Sequence, residues 1–397
     1  MSNTADPTQV REKVLVVTSV ASMADQFLIP SFRVLQELGY EVHLACNFEK
    51  GNNCTPQRVA DLKERLEGMD VTYYHVDFAR NVSKLVQNYK AYKQLKAILR
   101  THVFRMIHCT TPIGGVVTRF AARPSRRRGA RVLYSAHGFH FFKGAPLKNW
   151  LLYYPVERIC SRMTDVLITT NREDQALSER RMKAKRRIYI PGVGLDLSRF
   201  DPSSVDRLAK RRELGIPEHA LLLLSVGELN SNKNHATVIR ALARLTGEGQ
   251  TYHYAVAGVG EKAEELRLLA EELGVGDRVH LLGFRTDVPA LCYAADVFCF
   301  PSFREGQGMA ALEAMAAGLP LITSNVHGIN DYSIHGQTGY KYSPSDVEGF
   351  AEGIASLGES KTLREEMGAH NLESVKQFEL SRINAMLRTV YEETAAL

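Results

Sequence analysis

The strongest constraint on how this chain folds is a rhythm: short, unbroken apolar runs alternate with helical stretches, first over residues 13–169 and again over 221–342. Lys13-Val-Leu-Val-Val-Thr-Ser19 has the composition of a strand buried on both faces, as in a parallel sheet covered by helices. Residues 29–38 read as a helix stopped at Gly39, and 40–46 as the next strand. The alternation continues through strands at 71–76, 106–109, 132–136 and 166–169. It predicts a doubly wound α/β domain, followed by a second of the same class. The stretch 191–217, rich in Gly, Pro, Asp and charge, reads as the linker, so the expected domains are 1–195 and 196–375, with a last helical segment at 376–397.

A chain of 397 residues is comfortable for two domains, and 45% hydrophobic against 24% charged residues is ordinary for a soluble protein with a sizeable core. Charge is divided unevenly. Residues 1–195 hold 31 Lys+Arg against 16 Asp+Glu, and the remainder 19 against 28. The basic half points to an anionic partner, either nucleic acid or an acidic lipid surface. No nucleic-acid-binding motif accompanies it, so no nucleic-acid partner is expected. A Rossmann dehydrogenase is disfavoured because no Gly-x-Gly-x-x-Gly follows the first strand.

Six cysteines, Cys46, Cys54, Cys109, Cys160, Cys292 and Cys299, show no metal-binding spacing. Residues 1–13 are polar and lack a signal-peptide pattern, so the cysteines read as reduced thiols of a cytoplasmic protein. No stretch is apolar over the roughly 20 residues that span a bilayer, which leaves peripheral membrane contact as the expectation.

One segment carries most of the chemistry. In Pro301-Ser-Phe-Arg-Glu305-Gly306-Gln307-Gly308-Met309-Ala-Ala-Leu-Glu313, a glycine loop lies between a short apolar strand and an Ala- and Met-rich helix. If the helix begins near Gly308, the backbone N–H groups of Gly306, Gln307, Gly308 and Met309 form an anion site at the carboxyl end of a parallel strand. Eight residues of helix span roughly 12 Å, more than the about 5 to 9.5 Å separating the carboxylates of a glycosidase. Glu305 and Glu313 therefore suit the two ends of one long, phosphate-centred, polyhydroxylated ligand. A nucleotide sugar has that shape.

The segment resembles the Glu-x7-Glu signature of the family 4 retaining glycosyltransferases, which have the GT-B fold. Leu223-Leu-Ser-Val-Gly227-Glu-Leu-Asn-Ser-Asn232-Lys233, Ala255-Val-Ala-Gly258-Val-Gly260-Glu and Leu281-Leu-Gly283-Phe284 follow in that family's order. Ser135-Ala-His137-Gly-Phe-His140-Phe-Phe-Lys143, with Ile190-Pro-Gly-Val-Gly194-Leu-Asp196, resembles a bacterial capsule and exopolysaccharide subgroup. The resemblance implies two Rossmann-like domains facing across a cleft, with the last helix returning to the N-terminal, acceptor-side domain.

It also implies roles. Glu313 binds the ribose hydroxyls, Glu305 orients the donor hexose, Lys233 neutralises the diphosphate, and His137 meets the sugar from the opposite domain. Gly227, Asn232 and Phe284 join the donor-binding set, and His140 and Lys143 are weaker candidates for acceptor phosphate. An arginine usual in the family five residues before the lysine is here Glu228. The loop at 18–23 lacks the paired glycines of many relatives.

The helix expected at 83–100 is basic with an aromatic and aliphatic stripe, and with the arginines at 123–131 it suits either a core-facing helix or a dock on anionic lipid. The implied reaction moves a hexose or N-acetylhexosamine from a UDP-sugar to a polyprenyl-linked saccharide in surface polysaccharide synthesis, with retention. No cofactor or metal is expected, since a lysine with amide donors supplies the positive charge and the chain has no Asp-x-Asp. A UDP-sugar epimerase on the same scaffold is the alternative.

Overall fold

The structure is a computed structural model describing residues 11–51, 55–79, 83–245 and 251–397. Cys54 lies outside the described residues. The chain divides into two compact units, Met1–Val193 with Ser381–Leu397, and Gly194–Leu380.

The first unit opens with β1 (Lys13–Val20), α1 (Ala21–Met23), a π-helical segment Ala24–Leu28, α2 (Ile29–Glu37), β2 (Glu41–Asn47), α3 (Pro56–Gly68) and β3 (Thr72–His75). It continues through α4 (Leu85–Thr101), β4 (Phe104–Thr110), α5 (Pro112–Ala121), α6 (Arg123–Arg127), β5 (Arg131–Ala136) and α7 (Leu147–Ser161). β6 (Val166–Thr169), α8 (Arg172–Arg181) and β7 (Arg186–Tyr189) complete the series. The parallel sheet has the order β3-β2-β1-β4-β5-β6-β7.

Along β1, Val14 and Val16 enter one core cluster while Leu15 and Val17 enter the other, all four fully buried. Successive side chains point to opposite faces, and both faces are covered, which is why the strand reads as an unbroken apolar run. The loop expected at 18–23 does not exist. β1 runs to Val20 and a helical turn starts at Ala21, because the small, buried Ala21, Ser22 and Ala24 let the turn pack directly against the sheet.

The second unit contains α9 (Arg207–Glu213), β8 (Leu221–Val226), α10 (His235–Arg244), β9 (Tyr252–Ala257), α11 (Ala263–Glu272), β10 (Val279–Gly283) and α12 (Val288–Ala294). β11 (Val297–Phe300), α13 (Met309–Ala316), β12 (Leu321–Ser324), β13 (Gly339–Tyr342), α14 (Val347–Glu359) and α15 (Lys361–Ser374) follow. Its parallel sheet has the order β10-β9-β8-β11-β12-β13. α9 lies inside the stretch read as linker and is tightly held. The buried Arg211 guanidinium donates to the carbonyls of Ala294 (2.9 Å), Glu218 (3.0 Å) and Ala220 (2.9 Å), and pairs with Asp296.

The last helix, α16 (Leu380–Ala395), sends Ile383, Leu387, Val390 and Tyr391 into the core of the first unit beside Val14 and Phe32. Among the described residues, no helix is long and apolar enough to cross a membrane. Cys46, Cys109, Cys160, Cys292 and Cys299 are buried free thiols. Burial pushes the Cys109 thiol up to about 12 and that of Cys160 up to about 11, so neither is a thiolate near neutrality.

Candidate active site

In the second sheet the strand order reverses between β8 and β11, and the loops leaving their carboxyl ends meet there. Such a switch point opens a crevice in any open parallel sheet. Here the two loops are zipped together. The Phe303 N–H donates to the Asn232 carbonyl (2.8 Å), and Asn232 Nδ2 donates to the Arg304 carbonyl (3.0 Å). Asn234, in the left-handed conformation at φ 55°, donates through Nδ2 to the carbonyls of Pro301 (3.0 Å) and Pro344 (2.8 Å) and starts α10.

On this base Lys233 Nζ lies 2.7 Å from Glu305 Oε1, joining the two loops by an ion pair whose side chains are 20% and 13% exposed. The ammonium also stands 4.8 Å from the centre of the Phe300 ring, an additional favourable contact for a cation. Gly227 gives the lysine its path, since a Cβ there would come within 3.1 Å of Lys233 Cε.

Gly308 caps α13 at φ +89°, and a Cβ on it would lie 2.6 Å from Phe300 Cε1 and 2.7 Å from Tyr332 Oη. Only glycine fits both the conformation and the space. Glu313 follows in the second turn of α13. Burial raises its pKa, and Arg199, 3.5 Å away, opposes that rise. A carboxylate so placed retains acceptor capacity for hydroxyl donors.

The structure thus brings together Gly227, Asn232, Lys233, Glu305 and the turn at Gly306, Gln307, Gly308 and Met309. Glu313 stands on the helix that this turn starts. Phe284 is more than half exposed beyond the edge strand β10. Glu228 is an exposed residue of the loop after β8, so no cation occupies that position. Phe300, Tyr332 and Arg199 escaped the sequence reading. Phe300 ends an apolar strand and looks like core, while Arg199 sits in the stretch taken for linker.

His137 belongs to the first unit, one residue past β5. Burial pushes its imidazole down to about 4, so it is neutral at pH 7. It lines a recess of about 40 Å³ with Ser31, His108, Thr110, Ser135 and Asn384. His108 is held between Tyr391 Oη (2.8 Å) and Ser135 Oγ (2.8 Å). The His140 ring lies 4.6 Å from that of Tyr153 at a tilt of 33°, and the Lys143 backbone N–H donates to Glu173.

Two parallel-sheet units, with a basic residue and a helix N-terminus at the switch point of the second, define a GT-B protein. The family description "Glycosyl transferases group 1" matches residues 206–373, and "Glycosyl transferase 4-like domain" matches residues 32–192. EpsD of Bacillus subtilis, named as a glycosyltransferase, is 35% identical over 382 residues, 96% of each chain. The chain belongs to the family 4 glycosyltransferases of GT-B fold and is a transferase enzyme.

The UDP-Gal:alpha-D-GlcNAc-diphosphoundecaprenol alpha-1,3-galactosyltransferase of Escherichia coli is 25% identical over 340 residues, 84% of each chain. Among solved structures, Anabaena Alr3699/HepE in complex with UDP and glucose matches with a TM-score of 0.77 at 19% identity, covering 98% of this chain and 100% of that one. None of these relatives is an epimerase by name.

Proposed function

We propose that this enzyme transfers a hexose or N-acetylhexosamine from a UDP-sugar to a hydroxyl of a lipid-linked saccharide, with retention, in the synthesis of a surface polysaccharide. The observation that carries this reading is the Lys233–Glu305 pair joining two loops at the β8/β11 switch point, beside the N-terminus of α13. In this reading Lys233 and the turn at Gly306 to Met309 hold the diphosphate, stabilising the charge that grows on it as the sugar leaves. Glu305 orients the hexose and Glu313 accepts from the ribose hydroxyls.

The bond between the anomeric carbon and the diphosphate breaks, and the electron pair leaves with UDP. The acceptor hydroxyl attacks from the same face and passes its proton to a phosphate oxygen of the departing UDP. His137 takes the role of a neutral hydrogen-bonding partner of the sugar, on the strength of the family resemblance. The UDP-Gal donor and diphosphoundecaprenol acceptor named for the E. coli relative, and the UDP and glucose bound in the Anabaena structure, support this reading of donor and acceptor. An acceptor so anchored would bring the enzyme to the cytoplasmic face of a membrane.

A panel of nucleotide sugars, each tested for thermal stabilisation of the purified protein, checks the donor, because a ligand that binds only the folded state raises the melting temperature. Stabilisation by UDP-sugars in the wild type, and its loss in Glu313→Ala, is expected. Transfer abolished by EDTA and restored by manganese would overturn the charge role given to Lys233.

A further inference from the structure

Between Asp77 and Glu157 the chain contains no Asp or Glu, yet it holds fifteen Lys or Arg. That run includes α4, β4, α5, α6 and β5 and most of α7. Helices α4, α5 and α7 cover one face of the first sheet, with α5 packed against both of the others. The acid that closes the run, Glu157, is buried and committed to Arg119 (2.9 Å).

α7 is the anomaly in this layer. Its inward side packs Trp150, Tyr153 and Tyr154 against the core. Its outward side should be polar on a solvated helix. Instead Leu147 and Leu151 are 73% and 71% exposed, and Leu152, Val156 and Ile159 continue the same apolar face. Leu85, Val86 and Tyr89 at the start of α4 are also exposed. A further recess of about 550 Å³ is lined by Tyr89, Tyr92 and Phe120 together with Arg123 and Arg127. Arg123, Arg127 and Lys148 form no ion pair among the described residues.

We propose that the outward face of α7, with the basic rim of α4 and α6, is the surface by which the first unit docks on an anionic lipid bilayer. The leucines enter the headgroup and acyl boundary, while the lysines and arginines contact lipid phosphates. Charge selects this occupant over a second copy of the chain, because a two-fold interface would set the same basic surface, to which residues 78–156 contribute no acid, against itself. The proposal deepens the lipid-linked acceptor reading and names the surface that would bring the enzyme to it.

Co-sedimentation of the purified chain with vesicles tests it, using phosphatidylcholine with and without about one-third phosphatidylglycerol. We expect partitioning onto the anionic vesicles that weakens as salt rises, and little onto phosphatidylcholine alone. Leu151→Glu with Leu152→Glu should lower that partitioning by at least about tenfold. Arg123→Glu with Arg127→Glu should lower it by a similar factor, at about fivefold per removed positive charge.

Melting curves with and without a UDP-sugar serve as the control, since both pairs of substitutions lie in the first unit and Lys233, Glu305 and Glu313 in the second. Unchanged UDP-sugar stabilisation in the leucine variant, together with lost vesicle binding, supports the proposal. Wild-type protein that ignores anionic vesicles overturns it without touching the donor reading. A concentration-dependent dimer abolished by Leu151→Glu would also overturn it, in favour of self-association. If vesicles bind but no UDP-sugar stabilises the protein, the surface stands and the proposed function fails.

Discussion

The two sheets share one plan but not one chemistry. Each reverses its strand order once, between β1 and β4 in the first unit and between β8 and β11 in the second, and each therefore opens a crevice at its carboxyl edge. At the first switch point the structure sets hydroxyls. Ser19 Oγ lies 2.6 Å from Thr111 Oγ1 and accepts from the Gly114 N–H (3.2 Å), with Thr111 at φ 64°. At the second it sets an ammonium, a carboxylate and a glycine turn. Topology makes the crevice, and the side chains at its rim decide whether it can hold a pyrophosphate.

The comparison is easiest to break with Lys233→Ala. Turnover should fall by about 10² to 10³-fold, the usual effect of removing one preorganised electrostatic contact. Ser19→Ala, its counterpart in the first unit, should leave turnover within about threefold while lowering unfolding free energy by about 1 kcal/mol. Steady-state kinetics on both variants separates the two edges, and equal losses would erase the distinction.

Glu313→Ala should raise the KM for the donor by about tenfold or more with a smaller fall in kcat, because a ribose contact is made equally in ground and transition states. A pure kcat effect would move Glu313 to the reacting end of the site.

Gly308→Ala should lower stability by about 1 to 3 kcal/mol in urea unfolding, since it strains the backbone and drives a methyl into Phe300. An unchanged midpoint would mean that the turn has another way to form.

The smallest effect is one of pH, carried in the first unit by His108. His108 is fully buried and its imidazole is pushed down to about 3. Its unfolded value is about 6.5, so between these limits the unfolded chain binds the extra proton and stability falls as pH falls. Between pH 7 and pH 5 this should amount to about 1 to 2 kcal/mol, visible in urea unfolding followed against pH. His108→Gln should remove this share of the dependence and leave the share of His137, His235 and His253, which burial also pushes down to about 4.

The strands and the glycine turn were legible because their signals are local. An unbroken apolar run means two covered faces, and Gly308 marks the start of a helix at a strand end. Lys233 and Glu305 were each legible, but their pairing was not, because 72 residues of chain separate them and only the strand order brings them together. Arg199 was hidden for the same reason. Its 3.5 Å approach to Glu313 depends on a short helical turn within a stretch whose composition reads as connector. The misread loop at 18–23 shows the reverse error. Serines and alanines that look like loop composition are the residues small enough to let a helix begin directly on a strand.

The packing of α16 among the β1 and α2 side chains has a consequence for the order of assembly. During synthesis residues 11–193 emerge before any of 194–380, yet the hydrophobic layer beneath β1 waits for Ile383, Leu387 and Tyr391. The half that emerges earlier from the ribosome is the half completed later, and in the interval its nascent surface is a natural client for chaperones.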